Sequence, residues 1–308
     1  MTTPRKPLDP RITEHRNPRS AAIDLATPLE IVDVIAAEDA SVAAAVASQR
    51  TQIARAIEIA EKCFRAGGRL FYVGAGTSGR LGVLDAAECP PTFGTAPEMV
   101  QGIIAGGDAA LTAAQEGAED RADDAGDDIA DRKVGENDFV VGIAASGSTP
   151  YVQAGLAEAK RRGAATAIVA CSPPSADIVK LADVAIVAVT GPEVLAGSTR
   201  MKAGTATKMV LNMITTGAMI RLGKTFGNLM VDLKATNNKL RDRSERILME
   251  VCGVDRKQAY VLLREAGGSV TVAIVMHKLD LTRADAQAKL AEAGGAIRRA
   301  TGEEPPPI

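Results

Sequence analysis

The chain has 308 residues, of which 46% are hydrophobic and 24% charged, and its formal net charge is -2. This length and composition are typical of a globular protein with one large and one smaller domain. The near-neutral charge balance gives no reason to expect nucleic acid or an anionic membrane as a partner. The polar N-terminus and the lack of an apolar run of about 20 residues predict a cytoplasmic protein without membrane spans.

Cysteine and histidine usage narrows the chemistry that we expect. The 4 cysteines lie far apart without a C-x-x-C spacing, which favours reduced thiols. The 2 histidines, His15 and His277, do not stand in a metal-binding spacing, so we expect no metal. Acid–base chemistry would therefore fall to carboxylates or lysine.

The N-terminal quarter is predicted to be an arm followed by two helices. Residues 1 to about 25 lack a regular pattern. Thr27-Pro28 is typical of a helix start, and that helix is expected to reach about Ala37. A second helix is predicted from Val42 to about Ala66, ending at Gly67-Gly68.

The region from Arg69 to about Arg221 alternates short apolar runs with helical stretches. This alternation predicts an α/β fold with a parallel sheet covered by helices on both faces, whose ligands bind at the carboxyl ends of the strands. The predicted strands are Leu70–Val73, Val100–Ile104, Phe139–Ile143, Ala165–Ala170 and Val184–Val187. The predicted helices lie near 79–87, 109–132, 150–162, 175–181 and 201–221.

The character of the sequence changes after Gly223. Residues 236 to 300 are predicted to form a small helical bundle, and residues 303–308 a Pro-rich disordered tail. Helix N-caps are expected at Asp255, Ser269 and Thr282, and helix ends at the glycine pairs 267–268 and 294–295.

The run Gly74–Pro91 carries the strongest functional signal. It follows the predicted strand Leu70–Val73, and its glycines permit a tight turn into a helix. Thr77 and Ser78 fall at the helix N-terminus, where free N–H groups and a partial positive charge suit a phosphate. The helix is expected to stop at its two final prolines, which places Glu88 near the end where the helix dipole disfavours a carboxylate.

A second loop of this kind, Gly142–Pro150, follows the third strand and contains Ser146, Ser148 and Thr149. Such residues often serve only to cap helices. Two such loops at one edge of a parallel sheet favour a phosphate site. No G-K-[ST] follows, so the loop is not a Walker A motif. The G-x-G-x-x-G pattern of Gly74–Gly79 is weak as a dinucleotide fingerprint, because no acidic residue plainly ends the second strand.

A third loop, Gly191–Thr205, also leads from a strand into a helix. Its small residues let the backbone approach a ligand closely, so Ser198 and Thr199 are candidate substrate-binding residues. Arg200 and Lys202 are either solvated charges at a helix end or contacts to an anionic partner, since cations are disfavoured at a helix N-terminus.

Glu119 lies in an acidic stretch that continues to Asp128. A glutamate in such a stretch usually belongs to a solvated helix face. The composition alone does not select it as a functional residue.

Together these motifs resemble those of the N-acetylmuramic acid 6-phosphate etherases over nearly the whole chain. The matching segments are Thr13–Pro18, Gly74–Pro91, Gly142–Pro150, Glu193–Thr205 and Phe226–Asp232. The resemblance implies a sugar isomerase (SIS) domain and a small C-terminal helical domain of the ubiquitin-associated type. The expected division is an N-terminal segment at 1–57, the SIS domain at 58–222 and the C-terminal domain at 223–302.

The resemblance also implies roles for individual residues. Thr77, Ser78, Ser146 and Thr149 would hold a sugar phosphate, while Ser148 stands where relatives carry arginine and its role is open. The catalytic carboxylates would be Glu88, as the proton donor, and Glu119, as the base.

The implied reaction removes D-lactate from N-acetylmuramic acid 6-phosphate without a cofactor, and the expected partners are this sugar phosphate and a second copy of the chain. An SIS-type isomerase and a non-catalytic sugar-phosphate sensor are the alternatives. Ser78 and Glu88 are about 15 Å apart along a straight helix. Therefore either Gly82 marks a bend or Glu88 serves a site on the neighbouring subunit.

Overall fold

The computed structural model describes residues 9, 11–232 and 238–304, which form two compact units. The first unit contains the described residues up to Ala86 together with Glu98–Thr215. The second contains Ala87–Pro97 and the described residues from Thr216 onwards. The predicted domain boundaries stay predictions. The expected arm residues 1–8 and tail residues 305–308 lie outside the described part.

The first unit is built on a five-stranded parallel sheet with the order β2-β1-β3-β4-β5, which confirms the predicted α/β class. Every residue of β1 and β3 is buried, as expected for inner strands with helices on both faces. The strands are β1 Leu70–Gly74, β2 Val100–Ile104, β3 Phe139–Ile143, β4 Ala165–Ala170 and β5 Val184–Val187.

The helices that flank this sheet surround an apolar core. Phe71 and Val73 of the first strand pack with Ile129 and Leu156 of two helices on one face. The division between the two units falls within α4 and α9. The helices are α1 Pro28–Asp39, α2 Val42–Ala47, α3 Arg50–Arg65, α4 Gly76–Phe93, α5 Ala109–Thr112, α6 Ala122–Asp131, α7 Pro150–Arg161, α8 Ala176–Leu181 and α9 Lys202–Arg221.

The single helix predicted from Val42 to about Ala66 is wrong, because α2 and α3 are separate helices. The Ser48 hydroxyl donates to the carbonyl of Ala45 at 2.7 Å. The side chain of Gln49 accepts a hydrogen bond from Val187 N, in β5, at 3.1 Å. The break thus satisfies a backbone donor of a distant strand, which the local pattern does not encode.

The predicted stop of α4 at Pro90-Pro91 is also wrong, since the helix continues to Phe93. A proline removes an N–H donor, but its carbonyl still accepts, and Gly94 N donates to Pro90 O at 3.0 Å. Gly94 has a φ of +64°, and this left-handed conformation ends the helix.

The long helix predicted over residues 109–132 is divided into α5, a 3-10 turn at Ala118–Asp120, and α6. Ala113 is extended, with φ −134°, and Gly117 is left-handed, with φ +74°. Neither conformation continues a helix. As a result Glu119 lies in a short 3-10 turn rather than on the face of an α-helix.

The second unit is a helical bundle with a short antiparallel pair of strands, β6 Thr225–Phe226 and β7 Leu229–Met230. Strands of two residues are too short to show an alternating pattern, so this pair was not predicted. The helices are α10 Asn238–Cys252, α11 Arg256–Glu265, α12 Val270–Leu279, α13 Arg283–Glu292 and α14 Ile297–Thr301.

The predicted N-caps of the bundle are confirmed. The side chains of Asp255, Ser269 and Thr282 each accept a hydrogen bond from the backbone N–H three residues later. No single helix among the described residues is long and apolar enough to cross a membrane. Only α11 and α12 taken together, with a bend of 105° between them, reach that length and composition.

Candidate functional site

The turn between β1 and α4 presents the first pair of predicted phosphate ligands. β1 ends at Gly74 and α4 begins at Gly76, so Thr77 and Ser78 lie in the first helical turn. Both side chains are half-buried. The first N–H groups of a helix have no intrahelical acceptor, and here they lie beside these two hydroxyls.

The second loop joins β3 to α7 at the neighbouring strand end, because Gly74 and Ile143 are opposite each other in the sheet. Thr149 is at the N-cap position of α7, yet its side chain makes no capping hydrogen bond. The Oγ atoms of Ser146 and Ser148 are 3.3 Å apart, Ser146 being half-buried and Ser148 exposed. Helix capping therefore does not account for Thr149.

The third loop approaches the first one through the start of α9. Ser198 and Thr199 in this loop are half-buried. A Cβ atom added at Gly204 would lie 3.5 Å from the carbonyl oxygen of Thr199 and 3.8 Å from Cγ2 of Thr77. The start of α9 is therefore in van der Waals range of the first loop.

Lys202 is neither a solvated charge nor free to bind an anion, contrary to both sequence-based interpretations. It is 2% exposed, and its Nζ donates to the carboxylate of Glu38 at 2.5 Å. This hydrogen bond lowers the pKa of Glu38. Of the two cations considered, only Arg200 is exposed.

Glu193 organises the start of α9. Its buried carboxylate accepts from Lys202 N at 3.1 Å and from Ala203 N at 2.9 Å. A carboxylate at a helix N-terminus is favourable, although burial raises the pKa of Glu193. The third loop is therefore held by buried charges and not by solvent.

The N-terminal arm is fixed to the loops that follow β4 and β5. Its buried residues Thr13, Asn17 and Ser20 are all polar, and each has a partner across this boundary. The hydrogen bonds are Ile12 N to Ser172 Oγ at 2.9 Å, Gly197 N to Thr13 O at 3.0 Å, Asn17 Nδ2 to Pro192 O at 3.2 Å and Ser20 Oγ to Val194 O at 2.7 Å.

Glu119 is next to the first loop, which the residue pattern alone did not reveal. It is exposed, and it lines a cavity of about 190 Å³ that also contacts the turn leading into α4. The other walls come from the end of β2 and the loop before Glu119. Among the lining residues are Ala75, Gly76, Arg80, Ala105 and Gln115.

Glu88 is exposed on α4, ten residues after Ser78 (88 − 78). The helix runs without interruption through Gly82, and the bend there stays a prediction. A Cβ atom at Gly82 would lie 2.7 Å from Cβ of Tyr72. The glycine allows close packing of helix and strand.

Asp85, a buried carboxylate that the sequence reasoning overlooked, anchors α4 within the first unit. It accepts hydrogen bonds from Tyr72 OH at 2.9 Å, Asn212 Nδ2 at 2.6 Å and Thr215 Oγ1 at 3.3 Å. Burial raises its pKa. The sequence signal was an acidic residue that follows the apolar run Leu81–Leu84 of α4. No group of three or more potential metal ligands occurs among the described residues.

Two family models match the chain. The description of the first is "Glucokinase regulatory protein N-terminal SIS domain", over residues 52–160, and that of the second is "SIS domain", over residues 122–217. With the parallel sheet and its hydroxyl-rich loops, these matches define an SIS-domain protein.

The curated relatives specify the family. The chain is 51% identical over 290 residues to the N-acetylmuramic acid 6-phosphate etherase of Microcystis aeruginosa, covering 94% of each chain. It is 52% identical over 292 residues to that of Rhodopirellula baltica, covering 95% of this chain and 96% of the relative. The chain belongs to the N-acetylmuramic acid 6-phosphate etherase family.

Among solved structures, the Vibrio vulnificus NanR protein complexed with ManNAc-6P aligns with a TM-score of 0.43 and 16% identity, over 76% of this chain and 73% of that one.

Proposed function

We propose that the protein cleaves the D-lactyl ether of N-acetylmuramic acid 6-phosphate, giving N-acetylglucosamine 6-phosphate and D-lactate. The observation that carries this proposal is about 50% identity to etherases over 94% of the chain. The cavity that places Glu119 beside the first loop supports it. A cytoplasmic location stays a prediction.

The phosphate of the substrate binds at the carboxyl ends of β1 and β3. Thr77 and Ser78 donate from the first turn of α4, and Ser146 and Thr149 from the second loop. Hydrogen bonds from hydroxyls and free backbone N–H groups to a phosphate are charge-assisted. The Thr149 hydroxyl makes no capping hydrogen bond to α7, which supports this assignment. Ser148, Ser198 and Thr199 belong to the same proposal as further substrate contacts.

The chemistry needs one base and one acid. In the open-chain sugar the C1 aldehyde acidifies the C2 proton, and Glu119 removes it. The C3–O bond then breaks, and Glu88 protonates the departing lactate oxygen. Water adds at C3 of the unsaturated aldehyde, and the proton returned to C2 completes the product.

Glu88 acts in the site of the neighbouring subunit of a homodimer. Ten residues of a straight helix span about 15 Å, which is more than one sugar ring spans. A two-fold dimer places the same surface of both copies in contact, so each Glu88 can serve the other chain.

The proposed function is tested by incubating the protein with N-acetylmuramic acid 6-phosphate and measuring D-lactate. Glu119→Gln should lose both lactate release and solvent exchange of the C2 proton. Glu88→Gln should lose lactate release but retain that exchange, because the base acts first. An SIS-type isomerase or a non-catalytic sensor would release no lactate. If exchange were lost in Glu88→Gln and retained in Glu119→Gln, the two roles would be reversed.

The shared site is tested by mixing the two inactive variants. Random mixing makes half of the dimers hybrids of the two variants. If Glu88 and Glu119 of different chains form one site, each hybrid has one intact site and one inactive site. Lactate release should then recover to about a quarter of the wild-type rate. No recovery, in a mixture shown by mass spectrometry to contain hybrids, would place both glutamates in one chain.

A further inference from the structure

Arg80 is a half-buried cation in the cavity wall to which the proposed mechanism assigns no role. Its Nε donates to the carbonyl of Leu111 at 3.1 Å. No carboxylate among the described residues forms an ion pair with its guanidinium, although Glu119 lines the same cavity. The two terminal nitrogens of Arg80 are thus left for another partner.

The position of Arg80 calls for an anion. It lies in the second turn of α4, one turn from the N-terminal end where the helix dipole is positive. Partial burial adds a desolvation cost that an unpaired cation does not recover. The guanidinium presents parallel N–H donors in a fork that matches a carboxylate, and the Leu111 contact fixes the orientation of that fork.

The substrate of the proposed reaction offers two anions. The hydroxyl loops account for the C6 phosphate. The other is the carboxylate of the lactyl group on C3, the carbon next to the C2 whose proton Glu119 removes. Arg80 and Glu119 line one cavity of about 190 Å³, so a group bound to Arg80 lies beside the reacting carbons.

We propose that Arg80 binds the lactyl carboxylate of the substrate and so selects muramic acid phosphates from other amino sugar phosphates. This inference rests on the proposed function. The substrate carboxylate and the Glu119 carboxylate repel each other when the substrate binds. The positive charge of Arg80 offsets this repulsion.

The test compares the substrate with the product, because N-acetylglucosamine 6-phosphate keeps the phosphate and lacks the carboxylate. For Arg80→Met, KM for the substrate should rise about ten- to a hundredfold, the value of a hydrogen bond between charged groups. The inhibition constant of the product should not change. Arg80→Lys should show a smaller loss with the same selectivity, since it retains charge without the fork.

Two control variants are measured in the same experiment. Ser78→Ala should weaken substrate and product equally, because both carry the phosphate. Arg161→Met removes an exposed arginine of α7 and should change neither constant. If Arg80→Met does not fold, as shown by a lost thermal transition, the lysine variant carries the same comparison.

Equal loss for substrate and product in the Arg80 variants would overturn the proposal, since it would indicate a phosphate contact or a role in holding Leu111. Unchanged KM would overturn it too. If the wild-type protein releases no lactate while still binding the product, the proposed function fails first, which distinguishes the two failures.

Discussion

The buried ion pair between Glu38 and Lys202 makes a quantitative prediction about stability. The side chains of Lys202 and Glu38 are 2% and 9% exposed, and their charged atoms are 2.5 Å apart. Replacing Lys202 with methionine keeps an unbranched side chain one atom shorter but leaves the Glu38 carboxylate buried without its main partner. Breaking such a pair costs about 3–5 kcal/mol.

Arg19 limits this loss on the glutamate side. Its guanidinium is 3.1 Å from Glu38, but its side chain is 66% exposed and mostly solvated. We therefore expect Lys202→Met to cost about 3 kcal/mol, the low end of the range for a broken buried pair. Glu38→Gln leaves the ammonium buried beside Glu193 and should cost a comparable amount. The double variant should cost clearly less than the two single losses added.

The assay is urea unfolding at pH 7 of the wild type and the three variants, with m-values checked because the chain has two compact units. The hydrogen bond from Lys202 lowers the pKa of Glu38. The stability from this pair is therefore present above the unfolded pKa and lost as the pH falls through the folded one. Lys202→Met should lack this acid sensitivity. A loss below about 1 kcal/mol, or additive single losses, would show that the pair is solvated and refute the reasoning.

Three further outcomes are expected. Gly82→Ala should destabilise the folded protein by about 1–3 kcal/mol, because the new methyl group would lie 2.7 Å from Cβ of Tyr72. The control Gly126→Ala, where a Cβ atom would have no neighbour within 4 Å, should leave the stability equal or higher. Equal stability of the two variants in calorimetry would contradict this. Burial raises the pKa of Asp85, so the wild type should lose stability as the pH rises through the acid range, and Asp85→Asn should flatten that slope. Burial raises the pKa of Cys171 to about 12, so its thiol should resist maleimide at pH 8 until the protein unfolds, and rapid native labelling seen by peptide mass mapping would be inconsistent with that burial.

The sheet was predictable because its signal is local. Each strand is a short apolar run bounded by turn residues, and the bounds of β2, β3, β4 and β5 agree with the prediction residue by residue. The hydroxyl-rich loops were found by the same means, since a Ser/Thr cluster after a buried strand is visible in the sequence. Their approach to one another follows from parallel strand order.

The errors have a common physical cause, which is contact between residues far apart in the chain. Nothing local shows that Lys202 meets Glu38, 164 positions away, so a buried cation was taken for a surface one. Glu119 was predicted on a helix face because Gly117, which breaks that helix, was not recognised as left-handed. The resemblance to a family identified Glu119, but only the fold places it beside the first loop.

The docking of the arm has a consequence for the order in which the protein assembles. Ser20 hydrogen-bonds to Val194, 174 residues later in the chain. During synthesis the arm is therefore made long before the loops that it contacts, and it can dock only after the sheet has been made. A fragment that began at residue 58 would contain every strand and yet lack the segment that holds the loops after β4 and β5. The α/β domain that the sequence outlines at 58–222 therefore omits residues that hydrogen-bond to its own loops.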